Sequence, residues 1–214
     1  MARNKCPEET REQILDISAR LFIEKGYEKT SIQDIINELQ MSKGAVYHHF
    51  KSKEEILQGV LDRKFLRVNS EINRIILSRK DLTALEKLRM MVMYSINDDE
   101  SRLMDISIKS KCKDPYFIFG NIEEMMNRVV PIIRDIIEMG QIDGSLKSEY
   151  PQEVAEVIMM LTNIWLSPII FQRTPEDIVK KIKFLKHMLE NMGVPIITEE
   201  MMSDFIRRYK ELCE

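Results

Sequence analysis

Lys43, Tyr47, His48, His49 and Lys53 place five hydrogen-bond-donating side chains in one short stretch. Such groups suit an acceptor-rich partner. Lys43 and His48 are able to donate to the edges of bases, and Tyr47, His49 and Lys53 are long or polar enough to reach phosphates. On a wheel of about 100° per residue, Val46 and Phe50 coincide, and Gly44 and His48 fall nearly opposite. Val46 and Phe50 therefore form a hydrophobic back, and Lys43, Gly44, Tyr47 and His48 a front. Gly44 costs roughly 1 kcal/mol of helix propensity against Ala, a cost that a close backbone approach to a groove wall would offset. The same residues also fit a solvated surface helix with a basic tail, because helix-turn-helix shapes occur as plain packing units too.

These side chains need short, well-started helices to hold them. Thr30 to Glu55 contains three starts. Thr30 or Ser31 caps the first, with Gln33 or Asp34 three residues on. Ser42 caps the second, and Ser52 with Glu55 opens the third. Two short helices joined by a tight turn, the second ending in aromatic and basic residues, make the shape that enters a DNA major groove.

The rest of the chain reads as helix throughout, over approximately 8–25, 31–38, 42–49, 52–78, 82–97, 99–111, 115–140, 150–171, 175–192 and 198–213. The punctuation falls at Asp81-Leu82-Thr83, Lys113-Asp114-Pro115, Gly140 to Gly144, Tyr150-Pro151, Thr174-Pro175 and Gly193-Val194-Pro195. No run of period-two alternation appears, so the fold class is all-α. The fourth helix is long and no flexible linker follows the first three. It is expected to bridge a small domain, residues 1–53, and a larger one, residues 54–214.

The stretch Ser42-Lys43-Gly44-Ala45-Val46-Tyr47-His48-His49-Phe50-Lys51-Ser52-Lys53-Glu54-Glu55 resembles the recognition helix and following helix start of TetR-type transcriptional regulators. Upstream, Ile14, Ala19, Leu21, Phe22, Gly26 and Tyr27 resemble that family's first helix and its glycine stop. Thr30-Ser31 with Ile32 and Ile35 resembles its second. The resemblance covers roughly residues 8 to 60 and implies an N-terminal helix-turn-helix DNA-binding domain. By position it implies that Lys43, Gly44 and His48 face base edges, and that Tyr47, His49 and Lys53 face phosphates. The second helix, starting at Thr30 and Ser31, would turn backbone N–H groups to phosphate. Two positions depart from the family pattern. Leu39-Gln40 stands where a small residue and Gly are usual, which places Gln40 at a position that favours φ > 0. Ile36 stands where a small residue is common.

Bulk charge gives no help, since the formal net charge is −3. Residues 1–53 hold nine Lys and Arg against eight Asp and Glu, a balance of +1 that leaves −4 for the remainder. Any DNA interaction must rest on local placement. Cys6, Cys112 and Cys213 are odd in number and far apart, with no Cys-x-x-Cys. A disulfide framework or metal site is not expected, nor any cofactor, and reduced cysteines fit a cytoplasmic protein. Met1 to Glu9 lacks the apolar run of a secretory leader. The apolar stretch Val157 to Ile170 is broken by Thr162, Asn163 and Ser167 and falls short of a membrane span.

The second domain is rich in methionine, with Met90, Met91, Met93, Met125, Met126, Met159 and Met160 joined by Tyr94, Phe117, Phe119 and Trp165. Thioethers adapt to varied apolar shapes and line permissive pockets, yet they also fill ordinary cores. The resemblance implies a small apolar or amphipathic effector here, with Met90, Tyr94, Phe117, Met125 and Trp165 as candidate contacts. It also implies a homodimer formed by two late helices, 150–171 and 175–192. Their stripes supply the candidates Val154, Ile158 and Leu161, with Ile182, Leu185 and Leu189, although a monomer is able to bury those stripes internally. The expected function is a ligand-responsive regulator, in the repressor sense, that grips a pseudo-palindromic double-stranded DNA operator as a dimer. The alternative is a helical ligand-binding or scaffold protein without DNA binding. An enzyme is the remaining rival, but His48, His49 and His187 are the only histidines and form no recognisable catalytic set.

Overall fold

The computed structural model describes residues 7–213 apart from 168 and 172, with side chains through Tyr209. Cys6 and the side chain of Cys213 lie outside that range. The helices are α1 (Pro7–Lys25), α2 (Ile32–Leu39), α3 (Lys43–His49), α4 (Lys53–Ile72), α5 (Ala84–Asn97), α6 (Asp99–Ser107), α7 (Pro115–Arg128), α8 (Val130–Asp143), α9 (Pro151–Met160), α10 (Pro175–Asn191) and α11 (Glu199–Cys213). No strand occurs among the described residues. The expected helix 115–140 divides at Val129 because Pro131 lacks an N–H and its ring clashes with the carbonyl four residues back. The expected helices 52–78 and 150–171 each change character near their ends. α4 runs into a π-turn at Asn73–Leu77, and α9 into another at Leu161–Trp165.

The chain forms two compact units. One reaches to Glu71 and takes in Asp99–Lys111, and the other comprises Ile72–Asp98 and the chain from Cys112 onward. The first unit therefore keeps most of α4 and adds α6, which the expected divide at 53/54 did not include.

In the first unit, α1 stops where Gly26 takes a left-handed φ of 83°. Its core gathers Ile14, Leu15 and Phe22 from α1, Ile35 and Ile36 from α2, Val46 from α3, and Ile56 and Val60 from α4. Ile36 is thus absorbed into the core despite its bulk. Ser31 caps α2 through a full capping box with Asp34. The Ser31 hydroxyl and backbone N–H both donate to that carboxylate, holding Asp34 below the usual carboxylate range. Ser42 caps α3 by accepting from the Ala45 N–H at 3.2 Å. Ser52 accepts from the Glu55 N–H at 3.1 Å, and the Glu55 carboxylate reaches back to the Lys51 N–H at 2.6 Å. These caps satisfy first-turn donors of three helices, two of which, α2 and α3, are too short to be stable alone.

The turn between α2 and α3 behaves as its sequence implies. Gln40 sits at φ 54°, and is the described non-glycine residue with a positive φ. A side chain in that conformation costs roughly 1–2 kcal/mol, part of which glycine gives back through its freer unfolded chain. Gln40→Gly is therefore expected to raise stability by up to about 1 kcal/mol, read as a higher thermal midpoint. A lowered midpoint would show that the turn does not hold this geometry in solution.

The second unit has a core of aliphatic stripes, including Ile133, Ile136 and Ile137 from α8, Val154 and Ile158 from α9, and Ile178, Ile182, Leu185 and Leu189 from α10. Each fully buried side chain of this size contributes roughly 1.5–3 kcal/mol. Five of the six residues expected at a dimer interface lie here instead: Val154, Ile158, Ile182, Leu185 and Leu189 are buried in the core, and Leu161 packs partly buried against it. A period of 3.6 marks which residues share a face but not whether that face meets the same chain or a second copy.

Candidate nucleic-acid interface and ligand groove

α3 is seven residues long, and its position is fixed from behind. Val46 is fully buried and Phe50 nearly so. The opposite side is open: Ser42, Lys43, Gly44, Tyr47 and His48 are exposed, and His49 is half-buried with its ring edge-on to His48 at 5.3 Å. Lys43 Nζ lies 5.5 Å from the Tyr47 ring centroid, an i,i+4 cation–π contact on the exposed face. A Cβ added at Gly44 would meet no atom within 4 Å. Nothing in the free protein therefore requires glycine there. Gly44→Ala is expected to stabilise the isolated chain by up to about 1 kcal/mol yet weaken its binding to DNA, if the bare backbone serves a close approach. Thermal melts and gel-shift titrations read the two effects separately, and a tighter DNA complex would contradict that use of the glycine.

Two expected contact residues are placed differently. Thr30 is buried, its hydroxyl donating to the carbonyls of Gly26 at 2.9 Å and Leu21 at 3.2 Å. Its backbone N–H donates to the Tyr27 carbonyl, and that of Ser31 to Asp34. The pair Thr30-Ser31 thus splits its roles: one hydroxyl seals the loop and the other caps the helix. Lys53 also turns inward. Its Nζ donates to the carbonyls of Tyr27 and Thr30, each at 2.9 Å, and lies 4.2 Å from the Tyr27 ring centroid. Lys53 holds the loop that leads into α2, so it positions the site rather than standing free to touch a phosphate.

Tyr27 is the hub of that loop. Its hydroxyl donates to Glu54 Oε1 at 3.0 Å, and its N–H donates to the Ser107 carbonyl at the end of α6. Burial, then the Glu54 hydrogen bond, push its hydroxyl far above the usual tyrosine value, so it remains a donor. Glu54 is held below the usual carboxylate range by its own backbone N–H first, then by Tyr27 and Lys111. Lys111 Nζ stands 3.5 Å from Glu54 Oε1 and 5.2 Å from the Tyr27 ring centroid. The spacing of Tyr27, Lys53, Glu54 and Lys111 in sequence gave no signal of this cluster.

The expected effector contacts divide as well. A groove of about 420 Å³ in the second unit is lined by Ile75, Ile76, Met90, Met93, Tyr94, Asn97 and Asp98. Met90 and Tyr94 were expected there. Phe117 is half-buried on α7, Met125 is buried, and Trp165 packs against the core, none of them lining the groove. Met90, Met93, Tyr94 and Asn97 share one face of α5, a spacing of i, i+3, i+4 and i+7 that the sequence displays. Ile75 and Ile76 enter from the π-turn, where the helical phase slips and a wheel fails. No group of His, Cys, Asp and Glu among the described residues is arranged to hold a metal ion. No described helix is long and apolar enough to cross a membrane.

Comparison with known proteins follows the same division. Residues 14–60 match the family described as bacterial regulatory proteins, tetR family, and residues 117–188 match the tetracyclin repressor-like C-terminal domain. The chain is 30% identical over 152 residues to the HTH-type transcriptional repressor KstR2 of Rhodococcus jostii, covering 68% of this chain and 72% of that protein. Among solved structures, GusR of Salmonella enterica is similar with a TM-score of 0.65 at 19% identity, covering 89% of this chain and 98% of that one. A regulator from Pectobacterium atrosepticum gives 0.65 at 20% identity, with coverage of 88% and 96%.

Proposed function

The chain belongs to the tetR family of bacterial regulatory proteins, and on that footing we propose that it holds a pseudo-palindromic operator as a homodimer and releases it when a small amphipathic molecule binds the second unit. It is a DNA-binding transcription regulator of the helix-turn-helix type, from a family of regulators rather than enzymes. The observation that carries the operator reading is the two-sided character of α3. Val46 and Phe50 anchor it, while Lys43, Gly44, Tyr47 and His48 stand exposed together. Lys43 and His48 address base edges, Tyr47 and His49 address phosphates, and the repressor works where the chromosome lies, in the cytoplasm.

The dimer uses the outward face of α10 with the π-turn that follows α9, not the buried stripes of the two helices. Phe184 is 58% exposed, and its ring meets Trp165 edge-on at 6.1 Å. Lys181 Nζ lies 3.6 Å from the Trp165 centroid, and burial, followed by nearby Arg173, holds its amine below the usual lysine value. Aromatic side chains such as Trp165 and Phe184 are enriched at protein interfaces. To read two half-sites, a two-fold pair must hold its copies of α3 about one DNA turn apart, roughly 34–36 Å. The test is selection of random duplexes by the purified chain, followed by gel-shift titration. Enrichment of an inverted repeat supports the reading, and no enrichment at low salt refutes it.

A further inference from the structure

A second cavity lies wholly within the first unit. It measures about 370 Å³, the size of a small-molecule site, and is walled by α1, α4 and α6. Ala19 and Ile23 from α1, Val60 from α4 and Met104 from α6 supply its apolar lining. Arg63 and Lys64 from α4 supply the polar part. Arg67, one turn on, is already engaged by Ser101 Oγ at 3.3 Å and Glu100 Oε2 at 3.5 Å. None of these residues belongs to the open face of α3 or to the groove beside α5.

Arg63 and Lys64 are charge-compensated, yet their N–H groups are not all used. Arg63 Nη1 donates to Asp16 Oδ1 at 2.6 Å and to Glu12 Oε2 at 3.4 Å. Among the described residues, Arg63 Nε and Nη2 have no partner. Those two nitrogens form the edge of the guanidinium that offers two parallel N–H groups to one acceptor group. Lys64 Nζ donates to Asp105 Oδ1 at 2.6 Å and to the Ser101 carbonyl at 3.3 Å, which leaves one of its three N–H groups. Each cation is also the less exposed member of its pair. The Arg63 and Lys64 side chains are 30% and 22% exposed, those of Asp16 and Asp105 68% and 50%. The carboxylates thus reach toward water while the cations line the cavity. An occupant that dried the remaining N–H groups without bringing an acceptor would lose their hydrogen bonds to water.

Charge narrows the class of occupant. Arg63, Lys64 and Arg67 are paired with Asp16, Glu12, Asp105 and Glu100, three positive charges against four negative. No net positive field is left to hold an anion, and Asp16 and Glu100 both line the cavity. We propose that this cavity is a second ligand site, for an uncharged apolar molecule that ends in a carbonyl, such as a ketone or an ester. The carbonyl oxygen accepts from the Nε–Nη2 edge of Arg63 through its two lone pairs, and the apolar body covers Ala19, Ile23 and Met104. A carboxylate in its place would be repelled by Asp16 and Glu100, and an ammonium would leave the Arg63 edge unanswered.

The test is a nuclear magnetic resonance titration of the full chain, isotope-labelled in its methionine methyl groups. The Met104 signal is identified by its loss in Met104→Leu. Methyl hexyl ketone, octanoate and octylamine are added in separate titrations. The ketone is expected to move the Met104 methyl saturably, with an affinity at least tenfold above that of octanoate or octylamine. Arg63→Leu and Arg63→Lys should each weaken the ketone at least tenfold, the second because lysine keeps the charge and loses the parallel edge. Tighter binding of octanoate or octylamine would overturn the ligand class. Unchanged ketone affinity in both folded Arg63 variants would overturn the assigned edge. A Met104 methyl that stays still, whether or not Met90 and Met93 move, would overturn the site.

Discussion

Replacing Lys43 and Tyr47 together with Ala is expected to weaken operator binding by at least about a hundredfold while leaving the thermal midpoint nearly unchanged. Each well-made contact to a base or phosphate is worth roughly 1–3 kcal/mol, and about 1.4 kcal/mol is a factor of ten. The fold loses little, because both side chains are exposed and their mutual contact is an exposed cation–π pair. One cation is removed, so the plot of log affinity against log salt should flatten by up to about 1. The two single substitutions should not add, since Lys43 rests over the Tyr47 ring. Wild-type affinity in the folded double variant would remove α3 from the contact surface.

Phe184→Lys is expected to split the dimer. Phe184 follows Lys180, Lys181 and Lys183 on α10, so a further cation places like charges across the two-fold axis. Sedimentation should show a monomer at concentrations where the wild-type chain is paired. Operator affinity should fall by more than about a hundredfold, because a single copy engages one half-site and loses the gain of linked binding. High salt should restore part of the pairing, within a screening length of about 10 Å at 0.1 M. Because Phe184 is largely exposed, the unit itself should melt as before. A variant that stays dimeric would move the interface elsewhere.

Much of the first unit is legible in the sequence because its determinants are local. Ser31, Ser42 and Ser52 announce three helix starts within hydrogen-bond reach of their own chain, and each does cap. Val46 and Phe50 show which way α3 turns through the period alone. Gln40 shows its strain because a turn of that length needs a left-handed residue at one place. The intramolecular roles of Thr30 and Lys53 are not legible in the sequence for a shared reason: their partners are the carbonyls of Leu21, Gly26, Tyr27 and Thr30, brought near by folding rather than by spacing.

In the second unit the helices are readable and their faces are not. Ile182, Leu185 and Leu189 form a stripe that is equally consistent with a core or an interface, and only the packing of α10 decides it. The groove escaped for a different reason. Met90 and Tyr94 are visible on a wheel, but Ile75 and Ile76 arrive through a π-turn, which breaks the period on which the wheel depends.

The most direct measurement of the operator reading is methylation protection on a duplex selected by the wild-type chain, since methylation at guanine N7 probes the major groove. The expected result is two protected patches with centres about one helical turn apart, roughly 34–36 Å, both lost when Gly44→Leu fills the open face of α3. Protection that survives in the folded Gly44→Leu variant, or a complex that shields no major-groove position, would contradict it.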